Sequence, residues 1–162
     1  MFNIKNSQMI INELNQKPDI EKNVKLKKVY IQFEKLLFEL RKKDLPDGLV
    51  MSINEDIEKL NSTIASGDEL RKVIKKIQTK IIKKLEKEVK LVPKNYYSYL
   101  WLAIGIASFG VPIGVAFGAM LGNMAFLGIG LPIGLAIGFL VGYEMDKKAY
   151  EEGRQLDVEI KY

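Results

Sequence analysis

Apolar residues are arranged along this chain in two ways that do not mix. Up to about residue 94 they recur at helical spacing among charged residues, whereas Asn95 to Tyr143 is a run of 49 positions without a charged side chain. In the first part, Val24, Val29, Phe33, Leu36, Leu37 and Leu40 form a stripe that predicts a helix over about 20–43, closed before Asp44-Leu-Pro-Asp-Gly48. Ser52 and Glu55 have the spacing of a capping box and predict a short helix from there to about Ile64. Ser66-Gly-Asp-Glu69 opens the longest predicted helix, about 68–92. Its seam is Leu70, Val73, Ile74, Ile77, Ile81, Ile82, Leu85 and Val89, and Pro93 stops it. Such a seam closes either a small bundle within one chain or a parallel coiled coil between chains, and barely three heptads fit both.

The uncharged run predicts membrane crossings. Roughly 20 apolar residues span the hydrocarbon of a bilayer, so this run is long enough for two passes. The spacing predicts helices over about 97–121 and 126–143, joined by a tight turn at Gly122-Asn123-Met124. Phe109–Asn123 and Ile129–Tyr143 are copies twenty residues apart, identical at seven of fifteen positions, including Pro112 with Pro132. Glycine recurs at every fourth position in both: Gly110, Gly114, Gly118 and Gly122, then Gly130, Gly134, Gly138 and Gly142. Residues four apart share one side of a helix. In lipid the hydrophobic effect does not bring helices together, so smooth glycine faces that let backbones approach are a means of packing them. Two arrangements follow. Either each stripe meets its partner in the same chain, or one stripe, or Ala116 and Ala136 beside it, meets another chain. Pro112 is expected to kink or loosen the first crossing, and Pro132 falls in the early turns of the second.

The expected fold class is therefore all-α. A basic helical cytoplasmic domain (1–94) precedes a two-helix transmembrane hairpin (95–143) and a charged C-terminal tail (144–162). Charge sets the expected orientation. Residues 1–94 hold 21 Lys and Arg against 14 Asp and Glu, and the connecting turn holds none. Lys83, Lys84, Lys87, Lys90 and Lys94 precede the first crossing and Lys147 and Lys148 follow the second, which places both ends in the cytoplasm by the positive-inside rule. Tyr96, Tyr97, Tyr99, Trp101 and Tyr143 make an aromatic belt at the same interface. Met1-Phe2-Asn3-Ile4-Lys5 lacks the apolar core of a signal peptide, in keeping with a first domain that stays where it is made. Leu156, Val158, Ile160 and Tyr162 alternate with polar residues as in a strand, but the sequence offers no second strand; the tail lies extended on the bundle, adds to a partner's sheet edge or stays disordered, the last being the expectation.

Chemistry is narrowed by what the composition omits. There is no Cys and no His, which removes thiolate nucleophiles, disulfides, His-based metal sites and His-assisted catalysis. A pI near 9.2 comes from 22 Lys and only 3 Arg. Nucleic-acid readers favour Arg for bidentate contacts, so lysines near a membrane segment are better matched to an anionic leaflet. The acidic pairs Glu55/Asp56 and Asp68/Glu69 are expected in first helical turns, where negative charge suits the helix dipole. No catalytic residue, metal or cofactor is expected.

The paired glycine series, the Pro-Ile-Gly steps and the flanking Met145-Asp-Lys-Lys-Ala and Glu152-Gly-Arg-Gln-Leu resemble a group of small bacterial glycine-zipper membrane proteins over about 97–156. That resemblance implies a membrane location and close helix packing, and it assigns no site residues. The expectation is a non-enzymatic inner-membrane protein that contacts the lipid bilayer and forms a homo-oligomer through its glycine stripes. Its cytoplasmic domain senses or recruits, in the extreme controlling an oligomeric channel or a membrane-disrupting effector. The alternative is a monomeric tether that binds a cytosolic protein partner. No nucleic acid is expected.

Overall fold

The computed structural model describes residues 9–17 and 20–161, so the Met1–Lys5 segment and Tyr162 lie outside the described residues. The protein is mostly helical and divides into two compact units. One holds the chain up to Val92 and again from Leu156 onward; the other is Pro93–Gln155.

The first unit is built on α1 (Val24–Arg41), α2 (Asp47–Asn61) and α3 (Gly67–Val89). Asn23 starts α1, its side-chain oxygen accepting the main-chain N–H of Lys25 at 3.0 Å and of Leu26 at 3.1 Å. Both α1 and α2 pack on α3. Phe33, Leu36, Leu37 and Leu40 of α1, Ile53 and Ile57 of α2, and Leu70, Ile74, Ile81, Ile82 and Leu85 of α3 are buried. Val24 is exposed, and Leu26 and Tyr30 take the buried side of that turn.

Three local expectations are corrected. The second helix begins at Asp47 behind Pro46, so Ser52 and Glu55 lie mid-helix and form no capping box. Pro46 is the N-cap, and its missing N–H costs nothing there because no bond within the helix requires it. The third helix stops at Val89, with Lys90 in the left-handed region at φ 60°, three residues earlier than Pro93 alone would dictate. The C-terminal residues are ordered. Gln155–Glu159 is a strand, β2, hydrogen-bonded to β1 (Val92–Lys94) in a two-stranded sheet, so the fold is not purely helical. The partner strand is three residues long and contains Pro93, which hides it from any periodicity. Leu156, Val158 and Ile160 are buried, and the Lys161 N–H donates to Gln32 Oε1 at 3.0 Å.

The second unit contains α4 (Tyr96–Gly105), a π-helical turn (Ile106–Gly110), α5 (Val111–Met120), a 3₁₀ turn (Met124–Phe126) and α6 (Leu127–Glu151). Tyr96–Met120 and Met124–Glu151 are each long and apolar enough to cross a membrane. The π turn lies directly before Pro112, whose missing N–H and bulky ring disrupt the regular ladder there. Pro132 lies in the second turn of α6, and that helix continues unbroken past it to Glu151, eight residues beyond the expected end. Leu121 and Gly122 close the turn, with Gly122 at φ 65°, and the Asn123 side chain accepts the Ala125 N–H at 2.9 Å.

Candidate functional site

The helices of the second unit pack antiparallel, and glycine makes the contact. A Cβ built on Gly142 would lie 2.6 Å from the Ser98 Cα, and one on Gly138 2.2 Å from the Trp101 carbonyl oxygen. On Gly134 it would lie 2.6 Å from both the Gly105 oxygen and the Gly110 nitrogen, and on Gly130 2.0 Å from the Gly110 oxygen. From the other side, Gly114 would strike the Leu127 oxygen at 2.5 Å. Real Cβ atoms do not come this close to backbone, so any larger residue at these positions forces the helices apart. Gly110 and Gly118 are less tight: their nearest neighbours would be the Gly130 oxygen at 3.2 Å and the Met124 sulfur at 3.1 Å.

The packing differs from the predicted stripe at two positions. Gly122 does not pack; it occupies the left-handed turn with nothing within 4 Å. Gly105, which the four-residue spacing misses, joins the contact instead, its Cβ position 2.3 Å from the Gly134 oxygen. It lies five residues before Gly110, and the intervening π turn, with its wider i→i+5 repeat, keeps both on one side. Within this single chain both series face one another, and Ala116 and Ala136 lie exposed on the outer surface.

At the open end of the pair, α4 lacks a cap of its own: Asn95 is left-handed and makes no capping bond with its side chain. Asp146 of α6 does the work. Its buried carboxylate accepts the Tyr97 N–H at 3.0 Å and the Ser98 N–H at 2.8 Å, so one acid satisfies two orphan donors and complements the helix dipole. Arg154, hydrogen-bonded to Glu152 and to the Tyr97 side chain, is held above its ordinary pKa by these partners. Sequence reasoning assigned Asp146 no role, because its partners are 48 and 49 residues away.

The belt residues are distributed unevenly. Tyr97 is buried, Tyr96 and Trp101 are half-buried, and Tyr99 and Tyr143 are exposed, with Tyr143 stacked on Phe139 at 5.9 Å between centroids. Lys147 and Lys148 are exposed on α6. In the first unit Lys83, Lys84, Lys87 and Lys90 lie on α3 or at its end. Lys75, Lys76, Lys80, Lys83, Lys84 and Lys87 line one open, basic surface along that helix. Lys84 turns inward, to the Ser52 hydroxyl and to Asp56 at 3.0 Å.

Asp56 departs from its expected role. It is not in a first turn but mid-helix and buried, paired with Lys80 at 2.5 Å as well as with Lys84. Burial pushes its carboxyl pKa up, but the hydrogen bonds and charges of Lys80 and Lys84 outweigh it and hold the value below normal. Asp68 and Glu69 do lie in the first turn of α3.

Neither protein-family models, nor curated proteins, nor solved structures give a match to this chain.

Proposed function

We propose that this is an integral membrane protein of non-catalytic role, whose helix pair crosses a bilayer twice and holds the basic helical unit at the cytoplasmic face. One observation carries the proposal: the helix pair is inside-out relative to a water-soluble pair. Between Ser98 and Met145 its buried positions are all glycines, and its exposed ones include Phe109, Val111, Val115, Phe117, Leu131, Leu135, Phe139 and Leu140. Only 17% of the apolar window of either helix is buried. In water that surface would be an aggregation site, whereas in lipid it is solvated.

Two further features support the orientation. Val92 and Leu156, either side of the helix pair, belong to the same folded unit, which an even number of crossings satisfies. The basic residues lie outside the crossings and the turn is uncharged, as the positive-inside rule asks of a cytoplasmic unit. Alkaline extraction of membranes tests the proposal: the chain stays in the pellet and leaves only with detergent. Release into the aqueous phase would contradict it.

The glycine contacts bear on how the protein acts. With both series engaged inside one chain, the monomeric tether that recruits a cytosolic protein is the favoured reading. Self-association, including an oligomeric channel, is the second reading, and it would use the outer face where Ala116 and Ala136 are exposed. The mass of the detergent-solubilised protein separates them: a single-chain species at all concentrations supports the tether, and a stable larger assembly supports the oligomer.

A further inference from the structure

Before α1, residues 9–17 form no helix or strand, yet they are held along their length. The holding is done by side chains of α1 and α2 acting on main-chain atoms. Asn54 donates to the Ile10 carbonyl at 2.9 Å and accepts the Asn12 N–H at 2.8 Å. Asn61 repeats this one register on, donating to the Glu13 carbonyl at 3.0 Å and accepting the Asn15 N–H at 2.9 Å. Arg41 donates to the carbonyls of Ile11 at 3.0 Å and Asn12 at 2.8 Å, and the Tyr30 hydroxyl donates to the Leu14 carbonyl at 3.4 Å. Burial, then the charge of Glu34 and a hydrogen bond to its side chain, raise the Tyr30 pKa to about 12, so this hydroxyl shares its proton between Glu34 and Leu14.

The spacing explains why one helix can hold an extended chain. Asn54 and Asn61 are seven residues apart, about 10.5 Å along a helix axis at 1.5 Å per residue. Residues 12 and 15 are three apart, about 10 Å in extended backbone. The two periods coincide, so each carboxamide meets one N–H and the carbonyl two residues before it, as a neighbouring strand would.

Apart from the Lys17 ammonium, which donates to the Thr63 carbonyl, the hydrogen bonds do not depend on the identity of the held residues. Ile10, Asn12, Glu13 and Asn15 are exposed, and Ile11 alone is fully buried. Beside it lies an open pocket of about 100 Å³ lined by Leu40, Leu45 and Val50 and, at its polar side, by Arg41 and Lys43.

We propose that this surface of α1 and α2 is a binding site for an extended peptide, selected by its backbone and one apolar residue, and that residues 9–17 occupy it in cis. The ligand class is an unstructured polypeptide segment of a partner, which must displace the cis segment. The site is thus autoinhibited by its own chain, whether or not the helix pair crosses a bilayer.

The test uses the full chain in detergent micelles and a fluorescein-labelled nonapeptide of residues 9–17. Ile11→Asp expels the anchor of the cis segment and frees the site. The peptide binds I11D saturably and binds the unmodified chain at least about tenfold more weakly, because a tethered competitor acts at an effective concentration on the order of millimolar. Adding Asn54→Ala and Asn61→Ala to I11D lowers affinity at least about tenfold, since four main-chain bonds are lost. A peptide altered at Asn12, Glu13 and Asn15 binds within about threefold of the original, while one with proline at Asn12 and Asn15 loses binding because both N–H donors are gone. Absence of saturable binding to I11D with unchanged circular dichroism overturns the proposal, as does binding indifferent to Asn54 and Asn61. If I11D does not fold, the full-length Asn12→Pro/Asn15→Pro variant, which keeps Ile11, takes its place with the same readouts. Should neither fold, the segment is an integral part of the core and the proposal fails.

Discussion

Asp146 reaches across the helix pair to accept the main-chain N–H of Tyr97 at 3.0 Å, and its second oxygen takes the next N–H, that of Ser98. One helix thereby supplies the cap that the other lacks, at the end opposite the Gly122 turn. The pair is closed at both ends by different chemistry, a left-handed glycine at one and a buried carboxylate at the other.

Replacing Asp146 tests that closure. Asp146→Ala leaves two N–H groups without a partner, and each bond to a charged acceptor is worth about 1.5–3 kcal/mol, not fully additive. Asp146→Asn keeps one acceptor oxygen and should fall between. Thermal unfolding followed by helical circular dichroism in detergent is expected to rank wild type above Asn above Ala; equal midpoints would show that the contact does not stabilise the pair.

Glycine replacements should sort by what a methyl group would meet. Gly130→Ala, Gly134→Ala and Gly138→Ala drive Cβ to 2.0–2.6 Å from backbone atoms of the opposing helix and should each cost about 1–3 kcal/mol. Gly128→Ala meets nothing within 4 Å and should be neutral or stabilising. The same unfolding assay reads the contrast. A Gly128 variant as damaging as the Gly130 one would mean the helices pack on another face.

Acid should weaken the joint between α2 and α3. The folded Asp56 carboxyl titrates below its ordinary value of 3.8, so its contribution is complete above that pH and is lost as pH falls through the lower folded value. Asp56→Asn removes that pH dependence and costs about 1–3 kcal/mol at neutral pH, with the half-exposed Lys80 giving the smaller part because solvent screens it. Denaturant unfolding at pH 7 and pH 3 measures both, and a wild type and variant that lose stability in parallel would exclude Asp56 as the cause.

The C-terminal strand should matter to the first unit. Leu156→Ala is expected to destabilise it by about 2–4 kcal/mol, as for a buried leucine elsewhere, whereas Tyr150→Ala, exposed, should change little. Hydrogen exchange along α1, whose Gln32 accepts the Lys161 N–H, reads the effect directly. Unchanged protection there would show that the strand is not part of that core.

What the residues revealed in advance was mostly what periodicity can reveal. The helices α1 and α3, the twofold apolar run and the turn at Gly122 are seen near where they are expected, but Val24 of the first stripe is exposed and Val73, Ile77 and Val89 of the second are only half-buried. The start of α2 was obscured because Ser52-x-x-Glu55 mimics a cap in the middle of a helix; Ser52 serves Lys84 instead. The contacts that hold distant segments together had no local signature. Asp146 with Tyr97, Asp56 with Lys84, and Asn54 and Asn61 with residues 10–15 each join positions more than 25 residues apart. Gly105 was missed for a different reason, since a π turn changes the repeat by which the stripe is counted.

The account depends most on lipid being the solvent around the helix pair, with the turn on the far side. The chain has no cysteine, so single Asn123→Cys and Ser62→Cys variants can be labelled cleanly with a membrane-impermeant maleimide on intact bacterial spheroplasts. Labelling of Asn123→Cys without lysis, and of Ser62→Cys only after lysis, is the predicted result. Labelling of Ser62→Cys from outside while Asn123→Cys is protected, or recovery of both in the soluble fraction, would contradict it.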